Sequence, residues 1–194
     1  MNNRNENSKK VLELYPIKSY PIKSSESLCF HGNCTVKMAD KSIKLLCNIR
    51  TGDKIHTPYG TTSVKYITKQ ECLNRQCEMI FIPEGGLLVT PTHPIKYHNK
   101  WIHPKTVFNT QTIYTPFVYN LVLEDHHSCY INDVECITIG HGQTADILAS
   151  YFGTCEAVRD IKDIGISSDG FVNIPLNSIW RNEKGYVCKI SVNL

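Results

Sequence analysis

Four short stretches hold the side chains able to do chemistry, scattered along a chain of 194 residues. The first is Cys29-Phe30-His31-Gly32. The Cys29 sulfur can reach the carbonyl carbon of Leu28 through a five-membered ring, so nucleophile and electrophile already share one molecule. Such placement is worth roughly 7 to 11 kcal/mol when the geometry is ideal. The second is Thr90-Pro91-Thr92-His93-Pro94. Each proline biases the residue before it away from helix and removes a ladder donor, so a strand must end or kink here. That kink can turn the Thr90 hydroxyl and the His93 imidazole toward one point, to bind a carbonyl and protonate a departing amine. The third runs from Glu124 to Cys129 and contains His126 and His127. Adjacent residues on a hairpin edge point to opposite faces, so at most one of this pair faces a site. The fourth is Gly140-His141-Gly142, whose glycines mark a turn.

Each stretch alone has a plainer reading. A free cysteine is usually a small buried apolar residue. His93 reads as a surface loop histidine, and the histidine pair as a solvated strand end.

The elements that must hold these groups read as strands. Short segments of β-branched, aromatic and alternating residues cover 34–38, 43–48, 54–57, 61–68, 77–82, 86–90, 112–124, 127–131 and 134–139. Thr51-Gly52-Asp53, Pro58-Tyr59-Gly60, Glu84-Gly85 and Asn132-Asp133 supply turns between them. In the last of these, Asn132 is expected to bond its own backbone. Many short strands at close spacing predict an all-β body, barrel-like or sandwich-like. A helix is expected late, capped by Thr144, with Ile147, Leu148, Tyr151 and Phe152 on one face and Gly153 ending it. Residues 143–194 thus read as an appended α+β piece. Residues 1–28, rich in Asn, Ser and Lys with a tandem Tyr-Pro-Ile-Lys, read as a linker.

Composition narrows the function. The chain carries 21 Lys+Arg against 18 Asp+Glu, and residues 1–28 hold five of those bases and three of the acids. The near-neutral remainder lacks the basic stripe that tracks a phosphate backbone, which argues against a nucleic-acid partner. No apolar run approaches the roughly 20 residues of a membrane span, and the first ten residues have no apolar signal core. A cytoplasmic, membrane-free chain is expected. Its nine cysteines are odd in number and form no C-x-x-C pair, so reduced thiols are expected rather than a disulfide framework.

Taken in order, these stretches resemble the Hedgehog/intein (Hint) autoprocessing superfamily, most closely the Vint domain found in von Willebrand A-type proteins. The matching segments are CFHGNCTVKMAD (29–40), IRTGDKI (49–55), GGLLVTPTHPI (85–95), KWIHPK (100–105), VYNLVLEDHHSCYINDVECITIGHG (118–142) and YFGT (151–154). The resemblance implies a Hint-type horseshoe of two related β halves over 29–142, a small α+β C-terminal extension over 143–194 and an upstream flanking segment over 1–28. It further implies that Cys29, Thr90, His93 and His127 converge in a central cleft. Cys29 would be the nucleophile of an N-to-S acyl shift at Leu28-Cys29. Thr90 and backbone N–H groups would hold the oxyanion, and His93 would protonate the leaving amine. The thioester would pass to water or a small thiol, giving autoproteolysis in cis by a monomer that needs no cofactor. Its substrate is whatever polypeptide is fused upstream.

Two departures weigh against the superfamily's other reactions. Inteins finish with His-Asn, whereas Ile137-Thr138 stands here. Hedgehog domains use an acid to help a sterol attack, and around Val64 and Lys65 no acid stands in the similar place. A papain-like protease is disfavoured because Cys29 lacks the C-G-S-C-W surroundings. A zinc module using Cys29, His93 and His127, or an inert Hint-fold interaction domain, stands as the alternative.

Overall fold

The computed structural model describes residues 18–19, 27–148, 150–184 and 186–192. The linker expected over 1–28, with its Tyr-Pro-Ile-Lys repeat, lies outside the described residues apart from Lys18–Ser19 and the last two positions.

Two sheets form the body. The larger runs, in spatial order, Thr110–Tyr114, Gln76–Ile82, Leu87–Val89, Phe30–His31, Phe117–Leu123, Gly60–Glu71 and Val172–Ile174, with Lys54–Thr57 also paired to Gly60–Glu71. The second runs Lys100–Ile102, Ile95–Tyr97, Val134–Ile137, Ser128–Ile131, Thr35–Lys37 and Ile43–Leu45. A small third sheet joins Lys18–Ser19, Ile179–Arg181 and Val187–Ile190. The strands pair antiparallel except Val172–Ile174, which lies parallel to Gly60–Glu71 and so splices the extension onto the body sheet. The expected all-β class is what the chain adopts. Among the described residues, no helix is long and apolar enough to cross a membrane.

Local chemistry accounts for most of these elements. Phe117–Leu123 is apolar on both faces because it lies between two strands and is covered above and below, so its run is nearly continuous rather than alternating. Asn132 and Asp133 both adopt positive φ, 48° and 60°, as a two-residue hairpin turn requires. His98 and Asn99 do the same at 47° and 61°, making a hairpin of Ile95–Tyr97 and Lys100–Ile102 that the strand reading missed. Phe30, Val36, Ile67, Ile80, Leu121 and Ile131 are fully buried in the core between the sheets. Each contributes about 1.5 to 3 kcal/mol by leaving water.

Three expectations need correction. Residues 112–124 are two strands, because Thr115-Pro116 breaks the run: Pro116 has no N–H, its carbonyl accepts from Cys72 N–H, and Thr115 N–H donates to Arg75. The helix is Cys155–Ile164, about ten residues later than expected. Thr154 caps it by accepting from Ala157 N–H, Glu156 complements its N-terminus, and Ala157 and Ile161 bury one face. The segment before it is tied to another loop. Gly140 N–H donates to the Phe152 carbonyl and Gly142 N–H to that of Gly153, while a Cβ on Gly153 would sit 2.5 Å from the His141 ring. Tertiary pairing there overrides local helix preference. Finally, Asn132 does not bond its own backbone. Its Oδ1 accepts from Thr35 N–H, and its Nδ2 donates to the carbonyls of Gly85 and Gly86, tying three loops together.

Candidate active site

Strand register brings the first two chemical groups together. Phe30 pairs with Val89 on one side and with Tyr119 on the other. One residue upstream of Phe30, Cys29 therefore lies between Thr90 and Asn120. Cys29 N–H donates to Thr90 Oγ1 at 2.9 Å, and Thr90 N–H donates to the Cys29 carbonyl at 2.9 Å. The Thr90 hydroxyl donates in turn to the Ser27 carbonyl. On the opposite side, Asn120 Nδ2 donates to the Leu28 carbonyl oxygen at 2.6 Å. Both polar atoms of the Leu28-Cys29 peptide bond are thus held by side chains. The Leu28 oxygen belongs to Asn120, where Thr90 had been expected; Thr90 instead holds the nitrogen.

Asn120 carried no role in the sequence reading, although its signal was present. A carboxamide in the middle of an apolar strand must find partners when buried. It does, since Oδ1 accepts from Leu121 N–H at 2.7 Å while Nδ2 serves Leu28.

The Cys29 thiol is enclosed by Cys72, Cys77, Met79 and Val118. Burial, reinforced by the neighbouring Cys72, pushes it far above the usual thiol range, so at neutral pH it rests as S–H. Gln70 Oε1 lies 3.9 Å from its sulfur. None of the nine cysteines is joined to another in this structure.

Beyond Thr90 the Pro91 turn brings His93 back, its N–H donating to the Thr90 carbonyl at 3.1 Å. The ring packs on Phe30, 4.2 Å between centroids, and is fully buried. His93 is no surface residue. Burial drives its pKa down to about 3, so the ring is neutral at pH 7. Nε2 lies 2.9 Å from the Ile137 carbonyl, which can only accept, so Nε2 carries the hydrogen. Nδ1 then keeps a lone pair, with no partner among the described residues.

The His127 ring has a partner of its own. Its Nε2 lies 2.7 Å from the Tyr59 hydroxyl, and its backbone carbonyl accepts from Thr138. The expectation that His126 and His127 face opposite ways fails because His126 has φ 72°, which breaks strand alternation. Both rings pack on Tyr59, at 5.5 and 4.7 Å. His141, read only as a turn residue, is buried instead. Burial lowers its pKa to about 4, and its charge acts on that of His93. Among the described residues, no three His, Cys, Asp or Glu side chains converge as a metal cage.

The arrangement is one buried thiol, one clamped peptide bond and one buried neutral imidazole, the groups that an acyl transfer from nitrogen to sulfur would use. Solved structures similar to this chain include the gp41-1 intein, at 11% identity and TM-score 0.46 over 58% of this chain and 100% of that one. A DnaB intein from Synechocystis sp. PCC 6803 gives 12% and 0.43 over 58% and 99%. A bacterial intein-like domain from Clostridium thermocellum gives 15% and 0.47 over 58% and 100%. No curated protein matches the sequence. The model of the Vint family, described as a Hint-domain, matches residues 28–189, body and extension together, and the chain belongs to that family.

Proposed function

We propose that this Hint domain cuts its own chain between Leu28 and Cys29 through a thioester, once and in cis. The observation that carries the reading is the double clamp on that bond, Asn120 on its oxygen and Thr90 on its nitrogen. The Cys29 sulfur attacks the Leu28 carbonyl carbon. Negative charge gathers on the oxygen that Asn120 already contacts, where one preorganised donor is typically worth about 2.7 to 4 kcal/mol. The bare Nδ1 of His93 accepts the thiol proton and passes it to the departing Cys29 nitrogen as the C–N bond breaks. The freed α-amine, with a pKa of about 7.7 to 8.0, is mostly protonated at pH 7, which favours the product by roughly 1 kcal/mol. Water or a small thiol then attacks the thioester carbon, releases the upstream polypeptide and restores the Cys29 thiol.

Splicing does not follow from this site. Thr138 stands where an intein's terminal asparagine would, and a hydroxyl cannot close a succinimide ring. Thr138 Oγ1 is instead bonded to the His127 carbonyl.

Incubation with dithiothreitol, followed by intact-mass measurement, tests the reading. The chain should split between Leu28 and Cys29, and Cys29→Ala should abolish the split. Cleavage elsewhere, or unchanged cleavage in the alanine variant, overturns it.

A further inference from the structure

Extended backbone sends consecutive side chains to opposite faces, and at the proposed cleavage point this alternation divides two environments. Cys29 enters the small thiol-rich cluster with Cys72 and Cys77. Leu28 enters a different cluster, built mainly by the extension: Phe152, Ala157, Ile161 and Ile190, closed from the body by Val122 and Ile139. Leu28 is 8% exposed there. The Asn120 contact fixes the Leu28 carbonyl, and with it the direction in which the side chain leaves the backbone. A cavity of about 590 Å³ adjoins the same residue, its wall shared by Leu28, Tyr151, Phe152 and Val187, with Lys105 and Arg181 among its basic members.

We infer that the C-terminal extension is the recognition pocket for the residue on the acyl side of the cut bond, selecting a large apolar side chain at position 28. The inference rests on cleavage at Leu28-Cys29. It gives residues 143–194 a task distinct from the chemistry. A side chain that fills the pocket seats the carbonyl on Asn120 and under the sulfur. A smaller one leaves the peptide bond loosely placed, and misplacement by about 1 Å can cost on the order of 100-fold in rate. The adjoining cavity leaves room for longer apolar chains, and its cations Lys105, Arg181 and Lys184 outnumber its one carboxylate, Asp146, which disfavours a lysine.

The full chain carrying Leu28→Ala, Leu28→Met or Leu28→Lys is compared with the parent by dithiothreitol-induced cleavage, with circular dichroism recorded on each. Leu28→Ala should cleave roughly 10- to 100-fold more slowly, Leu28→Lys slower still, and Leu28→Met at no less than about one third of the parental rate, all with native spectra. Equal rates across the series overturn the pocket. Slow rates accompanied by loss of the native spectrum overturn it too, since Leu28 would then be a core residue with no part in selection. Failure of the parent itself to cleave at this bond is a separate result and rejects the self-cleavage reading instead.

Discussion

The side-chain nitrogen of Asn120 lies 2.6 Å from the carbonyl oxygen of Leu28, the acceptor atom of the peptide bond between Leu28 and Cys29. This contact makes the buried carboxamide of strand Phe117–Leu123 a donor aimed where charge would develop in the proposed acyl transfer. Asn120→Ala should lower thiol-induced cleavage about 10²- to 10³-fold. Leaving the Leu28 oxygen buried without a partner should also destabilise the fold by about 1 to 3 kcal/mol. Rate and urea midpoint measured on one sample separate the effects; a variant with parental rate removes Asn120 from the mechanism.

Thr90 has the complementary task on the nitrogen side. Thr90→Val keeps the shape but removes the acceptor for Cys29 N–H and the donor to Ser27. Two backbone groups lose a partner, so a stability loss of about 1 to 3 kcal/mol per group is expected, together with slower cleavage. An unchanged melting temperature would show that water replaces the hydroxyl.

His93 and His127 should separate cleanly. His93→Ala should slow cleavage about 10²- to 10⁴-fold with a native circular dichroism spectrum, the loss typical of a proton-transfer group. His127→Ala should change it by less than about 10-fold, since its ring partner is Tyr59 rather than the clamped bond. Equal effects of the two substitutions would place His127 in the first step as well.

Acid should weaken the fold before it protonates the site. His93 and His141 titrate near 3 and 4 when folded, below the ordinary value of 6.5, because burial penalises the charged ring. As pH falls through 6.5, the unfolded chain takes up protons that the folded chain refuses, so this stability is complete above 6.5 and declines toward the folded values. Each group contributes a slope approaching about 1.4 kcal/mol per pH unit within its window. Urea midpoints at pH 7.5, 6 and 5 should fall in that order, and His141→Gln should flatten the trend. A midpoint that rises on acidification contradicts the assignment.

Strand content and the Asn132-Asp133 turn were legible from the chain because they depend on local pattern. β-Branched runs, positive-φ residues and the prolines around Thr90 and His93 act within a few positions of themselves. The chemistry proposed for Cys29 has the same local origin, since a cysteine and the carbonyl before it are neighbours in any fold. Partners distant in sequence were not. The pairing of Asn120 with Leu28 requires the register of Phe30–His31 against Phe117–Leu123, a contact between strands some ninety residues apart. His93 became a buried neutral imidazole only when the Pro91 turn set it against Phe30 and Ile137. The late helix was misplaced because hydrogen bonds from Gly140 and Gly142 take the carbonyls of residues 152 and 153, leaving Tyr151–Gly153 as a single 3-10 turn ahead of the α-helix. Residue type decided by itself which groups can react. Burial and hydrogen-bond partners, which exist only once separated strands are paired, decided the state in which each group waits.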